Sequence, residues 1–167
     1  EYIENRTYDE IQVGDSASLV RTLKPQDIQL FAIMSGDVNP SHVDPEYARS
    51  SMFREVIAHG MWGGALISTV LGTQFPGPGT IYVDQTLHFS RPVGLGDTIT
   101  VMVTATRKFD HNHHILFDCV CTNQDGQKVI GGTAEVLAPT EKIKRPRIEL
   151  PEAPLLDREA RYQHLLD

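Results

Sequence analysis

From Gly60 to Gly72 the chain reads G-M-W-G-G-A-L-I-S-T-V-L-G, without a single charged side chain. A helix that is apolar nearly all round is one surrounded by protein. This run is too short to span a bilayer, so it is expected as a helix inside a domain. Gly60, Gly64 and Gly72, with Ser68 between them, form a stripe of small residues at four-residue spacing. An interior glycine costs a helix up to about 1 kcal/mol relative to alanine. Something is therefore expected to press closely on that face, either a packed sheet or a ligand lying along it.

The residues beyond this helix constrain what can cover it. After a Pro/Gly turn at 74–79 the period of the sequence changes to two. Ile81–Ser90, Thr98–Lys108, Ile115–Thr122 and Lys128–Leu137 alternate or are rich in β-branched residues, and Ser16–Leu23 is a fifth such stretch. All five are expected strands. The linkers at 92–97, 110–114 and 123–126 are short, which predicts that consecutive strands are antiparallel neighbours. One buried helix and about five antiparallel strands are satisfied most economically by wrapping the sheet around the helix, an α+β architecture. Residues 1–139 are read as this one domain. From 140 to 167 the composition turns to proline and mixed charge, as expected of a linker or C-terminal arm, with Leu155–Leu166 able to form a short helix.

Charge and cysteine usage narrow the partners. A formal charge of −7, with no basic stripe to offset it, argues against nucleic acid. No charged-apolar-cleavage pattern opens the chain and no segment spans a membrane, so a cytoplasmic protein is the expectation. Cys119 and Cys121 lie two apart on a strand and point the same way, the pattern of reduced, partly buried thiols rather than a zinc half-site. The run Asp110-His111-Asn112-His113-His114 falls in a hairpin turn and reads as a solvated loop. Neither a metal nor a cofactor is expected.

The chemistry-bearing segment is Phe31–Ala48, which sets a carboxylate (Asp37) and an imidazole (His42) five residues apart. Pro25 starts a helix whose apolar positions Ile28, Phe31 and Met34 recur at helical spacing. Ser35-Gly36 should stop it, because glycine accepts the left-handed C-terminal conformation. Asn39 precedes Pro40 and is pushed out of helical dihedrals. Asp44-Pro45-Glu46 then reads as an N-cap, a first-turn proline and a first-turn acid. Asp37 and His42 thus sit on a short, stiff segment between two helices. One Asp and one His beside the same water can activate it and move its protons.

These residues resemble the MaoC-like dehydratase family, which includes the (R)-specific enoyl-CoA hydratases. The family pattern is matched by Phe31, Ser35, Gly36, Asp37, Asn39, Pro40, His42 and Ala48. A second block, Ala58-His59-Gly60-Met61 with Ser68, is similar to the start of the family's central helix. A third, Tyr82–Pro92 with Val93-Gly94-Leu95-Gly96-Asp97 after it, is similar to its return strands. Together they span roughly residues 8 to 138. Ser41 and Met34 depart from the pattern; Ser41 could reshape the pocket wall.

The resemblance implies a hot-dog fold and reversible addition of water to trans-2-enoyl-CoA. Asp37 and His42 would handle the water, and the Gly60 N–H at the helix N-terminus would hold the enolate oxygen. Asn39, Ser68, His59, Met61 and Trp62 would line the substrate site. Trp62, Met52 and Phe53 are candidates to limit pocket depth, and Arg54, Arg91, Arg107 and Lys108 to meet coenzyme A phosphates. The resemblance also implies an acyl-CoA substrate and a homodimer or assembly of dimers. Around Lys144-Arg145-Pro146-Arg147 the chain is similar to the junction in proteins fused to a phosphate acetyltransferase. Two other readings share the fold: a thioesterase, and a non-catalytic module that binds acyl thioesters. A thioesterase usually needs a carboxylate on or near the central helix, and Gly60–Leu71 contains none.

Overall fold

A computed structural model describes residues 1–151. Its elements in chain order are β1 (Tyr2–Glu4), a 3-10 turn (Tyr8–Glu10), β2 (Ser16–Thr22), α1 (Pro25–Ser35), α2 (Pro40–Val43), α3 (Pro45–Ser50) and α4 (Gly60–Thr73). Next come β3 (Ile81–Gln85), β4 (His88–Phe89), β5 (Thr98–Phe109), β6 (His114–Thr122), β7 (Lys128–Leu137) and β8 (Lys144–Pro146). The suggested helix at Leu155–Leu166 lies outside the described residues. The main sheet is antiparallel in the order β2-β5-β6-β7-β3, with β4 also paired to β7. It packs against α4, which makes this an α+β hot-dog architecture.

The core arises from strand alternation. Ile99, Val101 and Val103 of β5, Ile115, Phe117, Cys119 and Cys121 of β6, and Ile130, Ala134 and Val136 of β7 are all buried on one face. They meet Leu66, Ile67, Val70 and Leu71 of α4. Burying an aliphatic side chain of this kind stabilises the fold by about 1.5–3 kcal/mol. The two thiols are free and fully buried, and burial pushes Cys119 up to about 11 and Cys121 up to about 12.

Three expectations need correction. First, the stretch 81–90 is two strands rather than one, and it does not neighbour β5: both pieces pair with β7. The break at Thr86-Leu87 lies over Gly132, where a Cβ would overlap the Thr86 carbonyl. The 90–97 connection then runs past the start of α4 to the far edge of the sheet. There the Ala58 N–H donates to Val93 (2.8 Å) and the Gly96 N–H to Leu23 (3.0 Å).

Second, α4 is not covered on every side by its own chain, since Met61, Ala65, Ser68 and Gly72 form an exposed stripe. Third, the small-residue stripe is only partly a packing seam. Cβ atoms at Gly60 and Gly64 would meet Phe89 (3.3 Å) and Leu87 (3.1 Å), whereas Gly72 faces open space. The glycine that admits the sheet most closely is Gly63, which lies under the Ile130 side chain and outside the four-residue spacing.

Near the two ends of the described residues β1 pairs antiparallel with β8. Lys142 joins this contact through Glu4 (3.3 Å) and Glu10 (3.1 Å).

Candidate functional site

The segment from α1 to α3 is built much as its residues dictate. Gly36 ends α1 with φ 78°. Asn39 is held out of the helical region (φ −51°, ψ 129°) and its side chain accepts from the Ser41 N–H, capping α2. Asp44 accepts from the Glu46 and Tyr47 N–H groups and caps α3. The Asp37 Oδ1 accepts from the Asn39 N–H at 3.1 Å, closing the turn that presents its carboxylate. Asn39 therefore spends its side-chain oxygen on the loop itself.

Asp37, His42 and His59 converge. One ligating atom from each lies within 4.8 Å of the other two. Asp37 is exposed, His42 half-buried, and His59 buried at 2% exposure. The His42 Nδ1 lies 2.8 Å from the Ile57 carbonyl. A carbonyl can only accept, so Nδ1 carries the proton and Nε2 is the free lone-pair nitrogen. The His59 Nε2 lies 2.9 Å from the Asp37 carbonyl, so by the same reasoning its proton is on Nε2. The two imidazoles stack at 4.1 Å and 28°, and Phe31 covers His59 at 4.7 Å.

Beside this cluster α4 begins. Gly60 is its first residue, so its N–H has no acceptor within the helix, and the preceding His59 makes no side-chain cap bond. No acid occupies the first turn. The helix end therefore offers uncapped donors and a favourable dipole to negative charge.

A cavity of about 300 Å³ opens here, bounded by His42, His59, Gly60 and Trp62 and walled by Phe53, Phe89 and Ile130. Met61 and Ser68 do not line it. They line a second, apolar groove of about 520 Å³ along α4, with Phe31, Gly64, Tyr82 and Leu87. Met52, expected to limit pocket depth, instead faces solvent at 87% exposure. Arg91 lies at the cavity wall. Arg107 and Lys108 are laid over the Phe109 and Tyr8 rings, and Arg54 is exposed with a left-handed φ of 61°. Sequence reasoning missed the Ile57 carbonyl, which sets the His42 tautomer, and the wall residues Phe89 and Ile130. Backbone acceptors and tertiary neighbours leave no local pattern that could have found them.

The fold and the site together describe a hot-dog protein with a carboxylate and two imidazoles gathered beside the N-terminus of its central helix. Residues 10–120 match the MaoC like domain. Over 132 residues the chain is 46% identical to an (R)-specific enoyl-CoA hydratase of Rhodospirillum rubrum, covering 79% of this chain and 91% of that one. It is 34% identical over 139 residues to a 3-hydroxybutyryl-CoA dehydratase of Methylorubrum extorquens, covering 83% and 88%. Among solved structures, the unliganded R-hydratase PhaJ1 from Pseudomonas aeruginosa superposes with a TM-score of 0.89 at 43% identity, covering 93% and 99%. The chain belongs to the MaoC-like dehydratase family.

Proposed function

We propose that this protein is an enoyl-CoA hydratase, a hydro-lyase that reversibly converts trans-2-enoyl-CoA to 3-hydroxyacyl-CoA. The observation that carries the reading is the approach of the Asp37 carboxylate and the His42 imidazole to within a shared water's reach, 4.8 Å, next to the uncapped start of α4. Family membership supports it independently.

The β-carbon of an enoyl thioester is electrophilic only because the carbonyl can accept charge as an enolate. A catalyst thus has three tasks: hold a water, move its proton, and stabilise an oxyanion. In this reading Asp37 and His42 bind one water between them. His42 takes its proton on Nε2, the nitrogen left free by the Ile57 bond, as hydroxide adds to the β-carbon. The Gly60 N–H holds the enolate oxygen, and the proton is returned to the α-carbon. Asn39 supports the Asp37 turn, Trp62 bounds the reacting end, and Met61 and Ser68 line the groove along which the substrate extends.

The reading extends to a cytoplasmic homodimer. Among the described residues the outer edge of β3 is unpaired in the main sheet, with Ile81, Tyr82 and Val83 exposed beside the open stripe of α4. A second copy would cover both and close the Ser68 groove. Residues 140–167 are proposed as an arm that in a longer protein could lead to a phosphate acetyltransferase.

Mixing the protein with crotonyl-CoA, while following both enoyl absorbance and free thiol, tests the activity. Loss of absorbance without thiol supports the hydratase. Thiol release would make it a thioesterase, and neither signal would make it a binding module. Asp37→Asn and His42→Gln should each lower hydration by about 100-fold or more with folding intact. Parental rates in either variant would overturn the assignment.

A further inference from the structure

His59 is the one buried residue in this neighbourhood whose polarity has no evident local purpose. It sits at 2% exposure, and among the described residues its Nδ1 is the buried side-chain nitrogen or oxygen without a hydrogen-bond partner. A phenylalanine would also stack here and would bury no orphan acceptor, so the stacking alone does not call for histidine. What the imidazole adds is its other nitrogen, whose N–H reaches the Asp37 carbonyl at 2.9 Å.

Two restraints meet in this one ring. Through the hydrogen bond it ties the exposed Asp37 turn to the segment that enters α4. Through its face it stacks on His42 at 4.1 Å, while Phe31 of α1 closes the opposite side at 4.7 Å. Asp37 has few other anchors. Its own N–H donates to the Ser35 hydroxyl at the end of α1, and its carboxylate accepts from Asn39, both within two residues of it in the chain. The bond to His59 is thus what ties it to the segment that enters α4.

We infer that His59 is a positioning residue, which holds the Asp37 carboxylate and the His42 ring in register through its Nε2–H bond rather than by touching substrate. This rests on the hydratase reading of the site. A displacement of about 1 Å in a reacting group can lower a rate by about 100-fold, so a tether at this point controls turnover more than affinity.

The test compares His59→Phe, which keeps the stack and removes the donor, with His59→Gln, whose side-chain amide restores a donor. Asp37→Asn and the parent protein are assayed in parallel with crotonyl-CoA. In His59→Phe, kcat should fall about 10- to 100-fold with KM within about twofold. Its thermal midpoint should stay near the parent's, because losing the bond to the Asp37 carbonyl is offset by losing the orphaned acceptor. His59→Gln should recover most of the lost kcat. Parental kcat in His59→Phe overturns the inference, as does a fall in kcat accompanied by a lowered midpoint, or a Gln variant no better than Phe. If the parent is inactive or Asp37→Asn is fully active, the hydratase reading fails instead. Nitrogen-15 NMR of the imidazoles gives a readout independent of activity: His59 should be the Nε2–H tautomer and His42 the Nδ1–H tautomer. An Nδ1–H tautomer at His59 overturns the inference.

Discussion

Gly131 and Gly132 stand side by side on β7, and replacing each with alanine separates two kinds of crowding. Neither has a positive φ, so alanine suits the backbone at both, and the difference lies in what the new methyl meets. At Gly132 it overlaps the Thr86 carbonyl oxygen, stands 2.7 Å from the carbonyl carbon and 3.3 Å from the Leu87 Cα. All three are backbone atoms, so no rotamer change relieves the contact, and the β3–β4 junction must lift off β7. Two of the hydrogen bonds that hold that junction run from the Thr86 N–H to the Thr133 carbonyl (2.8 Å) and from the Thr133 N–H to the Thr86 hydroxyl (2.9 Å). Losing them removes about 1 kcal/mol each, and overpacking adds about 1–3 kcal/mol. Gly132→Ala should therefore destabilise by about 3–5 kcal/mol, a large part of the roughly 5–15 kcal/mol available to a domain. At Gly131 the methyl instead meets the end of the Lys128 side chain, which can swing into solvent, so Gly131→Ala should change stability by less than about 1 kcal/mol. Urea unfolding of both variants at one protein concentration measures the two effects. Equal stabilities for the pair, or an undamaged Gly132→Ala, would refute the reasoning.

Three further outcomes are expected. Burial holds the Cys119 and Cys121 thiols at about 11 and about 12. Neither should react with a thiol reagent in the native protein at neutral pH, and both should react in guanidinium; native labelling would contradict their burial. Val83→Lys, on the free edge of β3 where Val83 is 47% exposed, should convert a dimer to monomer in sedimentation, and a monomeric parent would remove the proposed interface. Glu10 is held below its ordinary value of 4.5 by the Thr7 N–H and by Lys142, and Asp15 is lowered by the Gln12 N–H and by Arg6. A carboxyl depressed on folding contributes stability above its unfolded value and loses it as pH falls through the folded one. Glu10→Gln should accordingly flatten the acid side of the stability curve, and an unchanged acid limb would show that the β1–β8 clasp is not coupled to it.

Much of this molecule was legible in its residues. Local chemistry marks the caps, and the left-handed Gly36, the Asn39 turn and the Asp44 cap all lie where dihedral preference puts them. Period-two patterning gave β7 its observed ends and β5 and β6 to within a residue. What patterning could not reveal is which surface covers an apolar face. Met61, Ala65, Ser68 and Gly72 lie on a helix without charges yet remain open in a single chain, because hydrophobicity does not say whether the cover is intramolecular. The break at Thr86 depends on Gly132, forty-odd residues away, and the pairing of β1 with β8 spans nearly the whole described chain. At the site, Asp37 and His42 were visible as residue types at a spacing. The stack on His59 and the carbonyl that sets the His42 tautomer were not, since both arise only when separate segments meet.

The close grouping of Asp37 and His42 has a stereochemical consequence for the proposed reaction. An enoyl thioester is flat, and a reagent delivered from one spot reaches just one of its two sides. With oxygen and returning hydrogen both handled by this one pair, they arrive on a common side, making the addition syn. Hydration in deuterated water would then place the new carbon–deuterium and carbon–oxygen bonds in that single relative configuration.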